Sequence, residues 1–443
     1  MRTLLKRHLS LNSAVAFSLL LKCWQTGSGL LGLMLIGLYF PPNVQGFYYT
    51  FASLVALQSF VELGLCIVIS NVASHEWSKL NLAAGDSIQG DIHALSRLVS
   101  LGRFVFKWYA IAALVFFIIA SAGGYWFLSQ QKVAGIDWQI PWLLHVGFSS
   151  LLLWCMPFLS LLEGCNQVAE VAKFRTWQVL LSNLCFWLAI MSGAELWAAP
   201  ALSLIGASSS IYYLAIKKRN FFKSFFVISN VTALNWKLEI FPMQWRLALM
   251  GFVNYFIFSL FTPVMFHYHG PAIAGQMGMT LQLVGAVQSI ALVWISTESP
   301  RLGVFVAKQE FHQLDVVWRK ATILALSVMS LGLLALQAIL YVMTIVHIEL
   351  ANKVLPFSSV LLLSAGSVFA LWVHCLALYL RAHLREVFTP VGVFSGLIMG
   401  LMVWQLGARY GSLGASASYF LVMSCVSFPL GLWIWRNAKR DWH

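Results

Sequence analysis

About twenty consecutive apolar residues, wound as a helix, cross the hydrocarbon of a bilayer, and this chain offers such a stretch twelve times. The spans are expected near 14–40, 44–71, 105–129, 141–163, 177–193 and 196–216 in the first half, and near 246–267, 272–297, 321–346, 357–380, 389–408 and 413–435 in the second. Lipid offers a peptide group no hydrogen-bond partner, so each span has to satisfy its own backbone as a helix. Composition agrees. Of 443 residues 60% are hydrophobic and 10% charged, with mean hydropathy +0.80, against about 25% charged in a typical soluble domain. The expected fold class is all-α: a polytopic membrane protein of about twelve transmembrane helices in two six-helix bundles. The first span is too long for a cleavable signal, and further spans follow it rather than a mature domain.

The net charge of +13 would suggest nucleic acid in a soluble protein. Here the basic residues are spread among short loops, with no aromatic-interleaved basic domain, so nucleic acid is not an expected partner. Topology accounts for them instead. With the N-terminus inside, 24 of the 28 Lys and Arg fall on one side of the membrane, and Lys132, Lys353 and Arg409 on the other, leaving Lys22 inside a span. The positive-inside rule then places both termini in the cytoplasm. The basic loop from Lys217 to Arg246 divides the chain into an N-terminal bundle (1–216), a cytoplasmic linker (217–245) and a C-terminal bundle (246–443). Tyr39, Pro42 and Gly46 recur at the spacing of Tyr268, Pro271 and Gly275, and Gln58-Ser59 is answered by Gln288-Ser289. Such a trace of an internal repeat fits the plan of secondary transporters, with the substrate site between the halves. The amphipathic stretch from Glu76 to Arg103 is expected on the cytoplasmic surface.

Seven cysteines all fall in or at the ends of apolar stretches, without CxxC or Cys/His spacing, so neither a disulfide nor a metal is expected. No cofactor is implied. The chain has no P-loop, HExxH or GxSxG signature. The longest outer loop, near 130–140, offers only Lys132 and Asp137. A periplasmic sugar polymerase, ligase or transferase wants positioned acids, His or Arg outside the membrane, and an enzyme is disfavoured.

Ionisable groups inside a bilayer cost roughly 2.5–3.5 kcal/mol on insertion scales, so each asks for an explanation. Lys22 lies about eight residues into the first span, or about 12 Å deep at ~1.5 Å per residue, with Gln25 on its face. Glu62 reaches a similar depth on the second span, with Gln58 one turn away. In one reading Lys22 faces a hydrated cavity and attracts an anionic cargo, while Glu62 couples transport to an ion gradient. In the other, Lys22 and Glu62 are an ion pair that staples two helices. Asn254, His267, His269, Gln276, Gln282 and Gln288 form a polar set on the seventh and eighth spans. Gln337 and His374 add polar groups on the ninth and tenth. A lone His or Gln in a span more commonly bonds a neighbouring helix than cargo; His374, deep in its span, has no obvious partner. His145 reads as hydrated at the outer interface. Arg301 closes the eighth span where it can meet a lipid diphosphate or serve as an ordinary positive-inside anchor.

Residues 30–70, LLGLMLIGLYFPPNVQGFYYTFASLVALQSFVELGLCIVIS, resemble the start of the polysaccharide-transport, or Wzx-type, flippases of the multidrug/oligosaccharidyl-lipid/polysaccharide exporter superfamily. The residues that carry the likeness are the Pro/Gly turn after the first span, Gly46–Tyr49, Glu62–Leu65 and the polar exit Leu161-Leu162-Glu163-Gly164 of the fourth span. The resemblance implies alternating access by two bundles. It implies as cargo an undecaprenyl-diphosphate-linked oligosaccharide crossing the bacterial inner membrane for surface polysaccharide synthesis, and a polysaccharide polymerase as partner. Substrate contacts are then expected from Lys22, Gln25, Gln58, Asn254, Gln282, His374 and Arg301, with Glu62 as the ion-coupling site. A cation-coupled drug or metabolite antiporter of the same superfamily is the alternative. Antiporters carry acidic cation sites in their helices, and Glu62 is the one deeply placed carboxylate here.

Overall fold

The computed structural model describes residues 24, 27–62, 64–82, 88–227, 235–383 and 387–442. The chain is all-α and polytopic. α1 (Gly27–Tyr39) is followed by α2 (Pro42–Val55), the short α3 (Gln58–Glu62) and α4 (Leu65–Trp77), which together make the second span. A two-stranded antiparallel hairpin, β1 (Leu80–Leu82) with β2 (Ile88–Gly90), leads into α5 (Ile92–Ser129), α6 (Gln139–Gly164) and α7 (Val168–Met191). α8 (Ala198–Tyr212) runs on through a π turn to Lys217, and α9 (Arg219–Val227) ends the first half. A second π turn, Trp236–Ile240, precedes α10 (Phe241–Phe258), α11 (Phe261–His269) and α12 (Pro271–Ala307). α13 (Phe311–Ile345), α14 (Phe357–Arg381), α15 (Thr389–Leu421) and α16 (Phe428–Trp442) complete the chain.

Among the described residues, seven helices are long and apolar enough to cross a membrane by themselves, or eight with α2–α4 as one bent span. The other expected spans are helical too, and each falls short for a visible reason. Only the second half of the first span lies in the described residues. α7 mixes Arg175, Gln178 and Asn183 into its apolar run. The seventh span is divided between α10 and α11. The last two spans run together as Thr389–Trp442, although Gly411 (φ 64, ψ −144) turns the chain inside that stretch. A left-handed φ of this kind is open to glycine at no steric cost.

Several helices begin or end well beyond the hydrocarbon. α5 starts at Ile92 rather than near 105 because Asp91 caps it: its carboxylate accepts from the amides of His93 (2.6 Å) and Ala94 (3.1 Å). Those bonds hold the Asp91 carboxyl below its ordinary pKa. The stretch Glu76–Arg103 is therefore divided among the end of α4, the hairpin and the first three turns of α5.

Two compact units result. The first holds Leu54–Phe252 with the described residues up to Ser28. Buried Glu76 accepts from Arg97 at 2.8 Å, and Arg97 also reaches Glu239. α9 docks by phenylalanines: Phe221, Phe222 and Phe225 are buried, Phe106 stacks on Phe158 at 4.0 Å, and Arg103 donates to the Phe225 carbonyl at 2.6 Å.

The second unit holds Val253–His443 together with Gly29–Ser53, so the end of α1 and all of α2 up to Ser53 belong with the later helices. The reason is a close crossing of α2 with the start of α12. A Cβ on Gly46 would lie 1.9 Å from the Pro271 carbonyl oxygen, and one on Gly275 would meet the Pro42 carbonyl oxygen at 3.0 Å. The two Pro-x-x-x-Gly turns thus pack against each other reciprocally. Small residues let helix backbones approach this closely in lipid. Buried Gln45 donates to the carbonyls of Gly275 (2.9 Å) and Lys353 (3.1 Å). The Lys353 ammonium donates to the carbonyls of Gly37 and Phe40, each at 2.7 Å. Those oxygens have no partner further along α1 and carry the negative end of its dipole.

Replacing Gly46 by Leu should force α2 and α12 apart, because the obstacle is backbone. Thermal unfolding of the purified protein in detergent is expected to show a loss of about 1–3 kcal/mol, the usual range for overpacking. Gly123, with nothing within 4 Å of a built Cβ, should accept Ala without loss. Equal midpoints for Gly46→Leu and Gly123→Ala would contradict the crossing.

Candidate functional site

The seventh span is broken where its sequence puts a proline. Pro263 has no N–H to donate to Ser259, and its ring crowds that carbonyl. The Tyr255 carbonyl instead accepts from both Ser259 (2.8 Å) and Leu260 (3.2 Å), and helical bonding resumes from Val264 to Leu260 (3.2 Å). Irregular backbone at membrane depth is tolerated where it is buried in protein or lines a cavity. Ser259 does the latter: it lines a cavity of about 170 Å3 within the second unit, together with Tyr49 and Ser53 of α2, Thr262 of α11, and Gly278 and Gln282 of α12.

Depth follows from helix geometry. Tyr49 is seven residues past Pro42, and Gln282 eleven past Pro271. At ~1.5 Å per residue they lie about 10 and 16 Å along their helices, within a hydrocarbon core about 30 Å thick. Counted from the Pro42 and Pro271 turns as the membrane edge, the cavity lies a third to a half of the way across, the zone where transporters built on repeated halves place their sites. Its polar groups are neutral hydroxyls and one amide. The Tyr49 ring packs on Gly278, where a Cβ would come within 2.4 Å of it. The Tyr49 hydroxyl is buried and has no hydrogen-bond partner among the described residues. A buried polar group without a partner is uncommon in a folded protein. The cavity's volume is below the about 300–1,000 Å3 of ordinary small-molecule pockets, so it has room for only part of a ligand of that size.

The residues expected to meet cargo are distributed as follows. Lys22 and Gln25 lie outside the described residues. Gln282 lines the cavity. Asn254, on α10, is exposed. Gln58 and Glu62 are half-buried at the two ends of α3 in the first unit. There the Tyr109 hydroxyl donates to the Glu62 carbonyl and also meets the Cys66 thiol, both at 3.5 Å. His374 is half-buried on α14. Arg301 is exposed, 3.5 Å from Glu298 and 5.4 Å from the Phe305 ring centre, which suits an anchor at a helix end.

Other intramembrane polar groups serve neighbouring helices. His269 bonds the Gly407 carbonyl at 2.8 Å, and Gln337 donates to Ser364 at 3.3 Å. His145, expected to be hydrated at the interface, instead bonds the Ala199 carbonyl and the Ser203 hydroxyl of α8, both at 3.1 Å. Tyr49, Ser53, Ser259 and Thr262 escaped the sequence reading because hydroxyl residues in a span are unremarkable one at a time. Pro263 was the available signal: a proline within an apolar span marks a break.

No protein-family profile matches the chain, and no curated protein matches it. Solved structures do. The lipid II flippase MurJ, in an inward closed conformation, superposes with a TM-score of 0.62 at 11% identity, over 95% of this chain and 87% of that one. An inward-facing multidrug resistance MATE family transporter of the MOP superfamily gives 0.54 at 12% identity, over 94% and 99%. A MOP superfamily transporter from Pyrococcus furiosus gives 0.53 at 13%, over 96% of each chain. At such identities the likeness is one of fold: this chain has the two-lobed helical architecture of these transporters.

Tyr49→Phe removes a hydroxyl that bonds no group among the described residues. Its thermal unfolding midpoint should match or exceed that of the parent, because an unpaired buried polar group costs about 1–3 kcal/mol. A clear fall in midpoint would mean that the hydroxyl has a protein partner after all.

Proposed function

We propose that this protein is a flippase that carries an undecaprenyl-diphosphate-linked oligosaccharide across the bacterial inner membrane by alternating access. The observation that carries the reading is the neutral cavity in the second unit, lined by Tyr49, Ser53, Ser259, Thr262 and Gln282 and bordered by the broken seventh span. Sugars are recognised by neutral hydrogen-bonding groups beside aromatic faces, and this set supplies both: Tyr49, Ser53, Ser259, Thr262 and Gln282. The shared fold with a lipid II flippase adds support, since that protein's named cargo is also lipid-linked. In this reading Lys22 and Arg301 attract the diphosphate, and Gln25, Gln58, Asn254 and His374 add contacts as the cargo passes. Glu62 is the coupling carboxyl, set beside Cys66 and Tyr109. Both termini face the cytoplasm, and a polysaccharide polymerase receives the product.

The test is transfer of the lipid-linked oligosaccharide between leaflets of proteoliposomes. Ser53→Val with Gln282→Leu should reduce the rate at least tenfold, about 1.4 kcal/mol of lost recognition, while Gly123→Ala transports normally. Unchanged transfer by the double variant at normal protein levels would remove the cavity from the mechanism. Export of a cationic drug in place of the glycan would favour the antiporter.

Glu62→Gln separates coupling from binding. It should leave cargo binding intact and make transfer insensitive to an imposed pH or sodium gradient. Gradient dependence equal to that of the parent would exclude Glu62 as the coupling group.

A further inference from the structure

A second, larger cavity belongs wholly to the first unit. It is a groove of about 630 Å3 between α3, α5 and the start of α10. Its walls are aromatic: Phe60, Phe104, Trp108, Trp236, Trp245 and Phe252. Phe104 lies against Trp236 with ring centres 4.4 Å apart, and Phe60 against Phe252 at 5.0 Å. These contacts shape a trough while leaving ring faces uncovered: Trp245 is 49% exposed and Trp108 41%.

Two polar residues adjoin the groove. Gln244 lines it and is 5% exposed. Lys107, exposed on α5, is three residues from Phe104 and next to Trp108, so it flanks the groove wall. Neighbouring cations are already engaged: Arg97 by Glu76 and Glu239, and Arg103 by the Phe225 carbonyl. Among the described residues Lys107 has no ion-pair partner. It is also the last charge on α5, whose remaining residues to Ser129 are uncharged. Lys107 thus marks where α5 enters the hydrocarbon, a depth that suits the neighbouring Trp108 as well.

Length and volume select the occupant. From Phe241 to Phe252 the α10 wall runs eleven residues, about 16 Å at ~1.5 Å per residue, which is close to half of a hydrocarbon core about 30 Å thick. The volume corresponds to about twenty water-sized groups at ~30 Å3 each. One leaflet's depth and about twenty such groups fit a single fatty acyl chain with its ester. We propose that this groove is a binding site for one anionic phospholipid of the leaflet on the protein's basic side, with an acyl chain along the aromatic trough, the Gln244 amide donating to an ester or phosphate oxygen, and Lys107 pairing with the headgroup.

Native mass spectrometry of the full chain, released from detergent containing either phosphatidylglycerol or phosphatidylcholine, tests the site. The parent should retain one phosphatidylglycerol in preference to phosphatidylcholine. Lys107→Gln should reduce that preference about fivefold, the factor carried by one lysine near an anionic surface. Ala248→Trp, which fills the trough, should abolish retention of either lipid. Melting curves of each variant confirm that it is folded, and Gln244→Leu supplies a second, milder disruption of headgroup selectivity. Equal retention of both lipids by the parent, or undiminished phosphatidylglycerol retention in folded Lys107→Gln and Ala248→Trp, would overturn the proposal. So would preferential retention of a polyprenyl phosphate added in competition.

Discussion

Every peptide group inside the hydrocarbon has to find its hydrogen bond within the protein, and the rest of this structure is arranged around that demand. Where a span is continuous, as in α13, the demand is met by the helix alone and the surface is free to be uniformly apolar. Where a span is interrupted, the freed backbone needs either packed protein or a polar space. The break at Ser259–Leu260 receives the second solution: Tyr255 takes two amides, and the open turn borders a cavity lined by hydroxyls. The backbone break and the polar cavity coincide at one proline.

The same constraint explains how the second unit recruits residues from the N-terminal part of the chain. Lipid gives apolar helices little reason to prefer each other over acyl chains, so close packing and hydrogen bonds decide association. Gly46 and Gly275 remove the side chains that would hold α2 and α12 apart. Gln45 and Lys353 then bind carbonyls that the helices leave open. The crossing also positions Tyr49, one turn past Gly46, against Gly278, and so shapes one wall of the cavity. The two Pro/Gly turns, packed on each other, shape that wall of the cavity.

Much of the architecture was legible because hydrophobic length is a long-range signal that survives local irregularity. Each expected span is mostly helical where the chain is described, and Pro42, Gly46, Pro271 and Gly275 were visible as a spaced pair before their contact was known. Helix ends were less legible: α5 begins at Asp91, α12 continues to Ala307 and α13 starts at Phe311, because polar, amphipathic turns beyond the membrane extend a helix without changing the hydropathy that marks the span. The site was legible in part. Gln282 stands out as an amide in a span, whereas Tyr49, Ser53, Ser259 and Thr262 become a set only when three helices bring them together. Lys353 reads in sequence as a stray external charge, and its work on α1 depends on a contact between residues more than 300 positions apart.

The central claim is that the Tyr49–Gln282 cavity is open to water and to cargo rather than sealed. Cysteine accessibility measures this directly. Ser53→Cys and Gln282→Cys, placed in a background whose native cysteines are replaced by serine or alanine, would be exposed in intact membranes to a thiol reagent that cannot cross lipid. The account predicts modification at both positions, slowed when the lipid-linked oligosaccharide is added. It predicts no modification of a cysteine at Leu331, which is 68% exposed on the apolar surface of α13. If the two cavity cysteines stay as unreactive as that control, with or without cargo, the cavity is closed to water and the account fails.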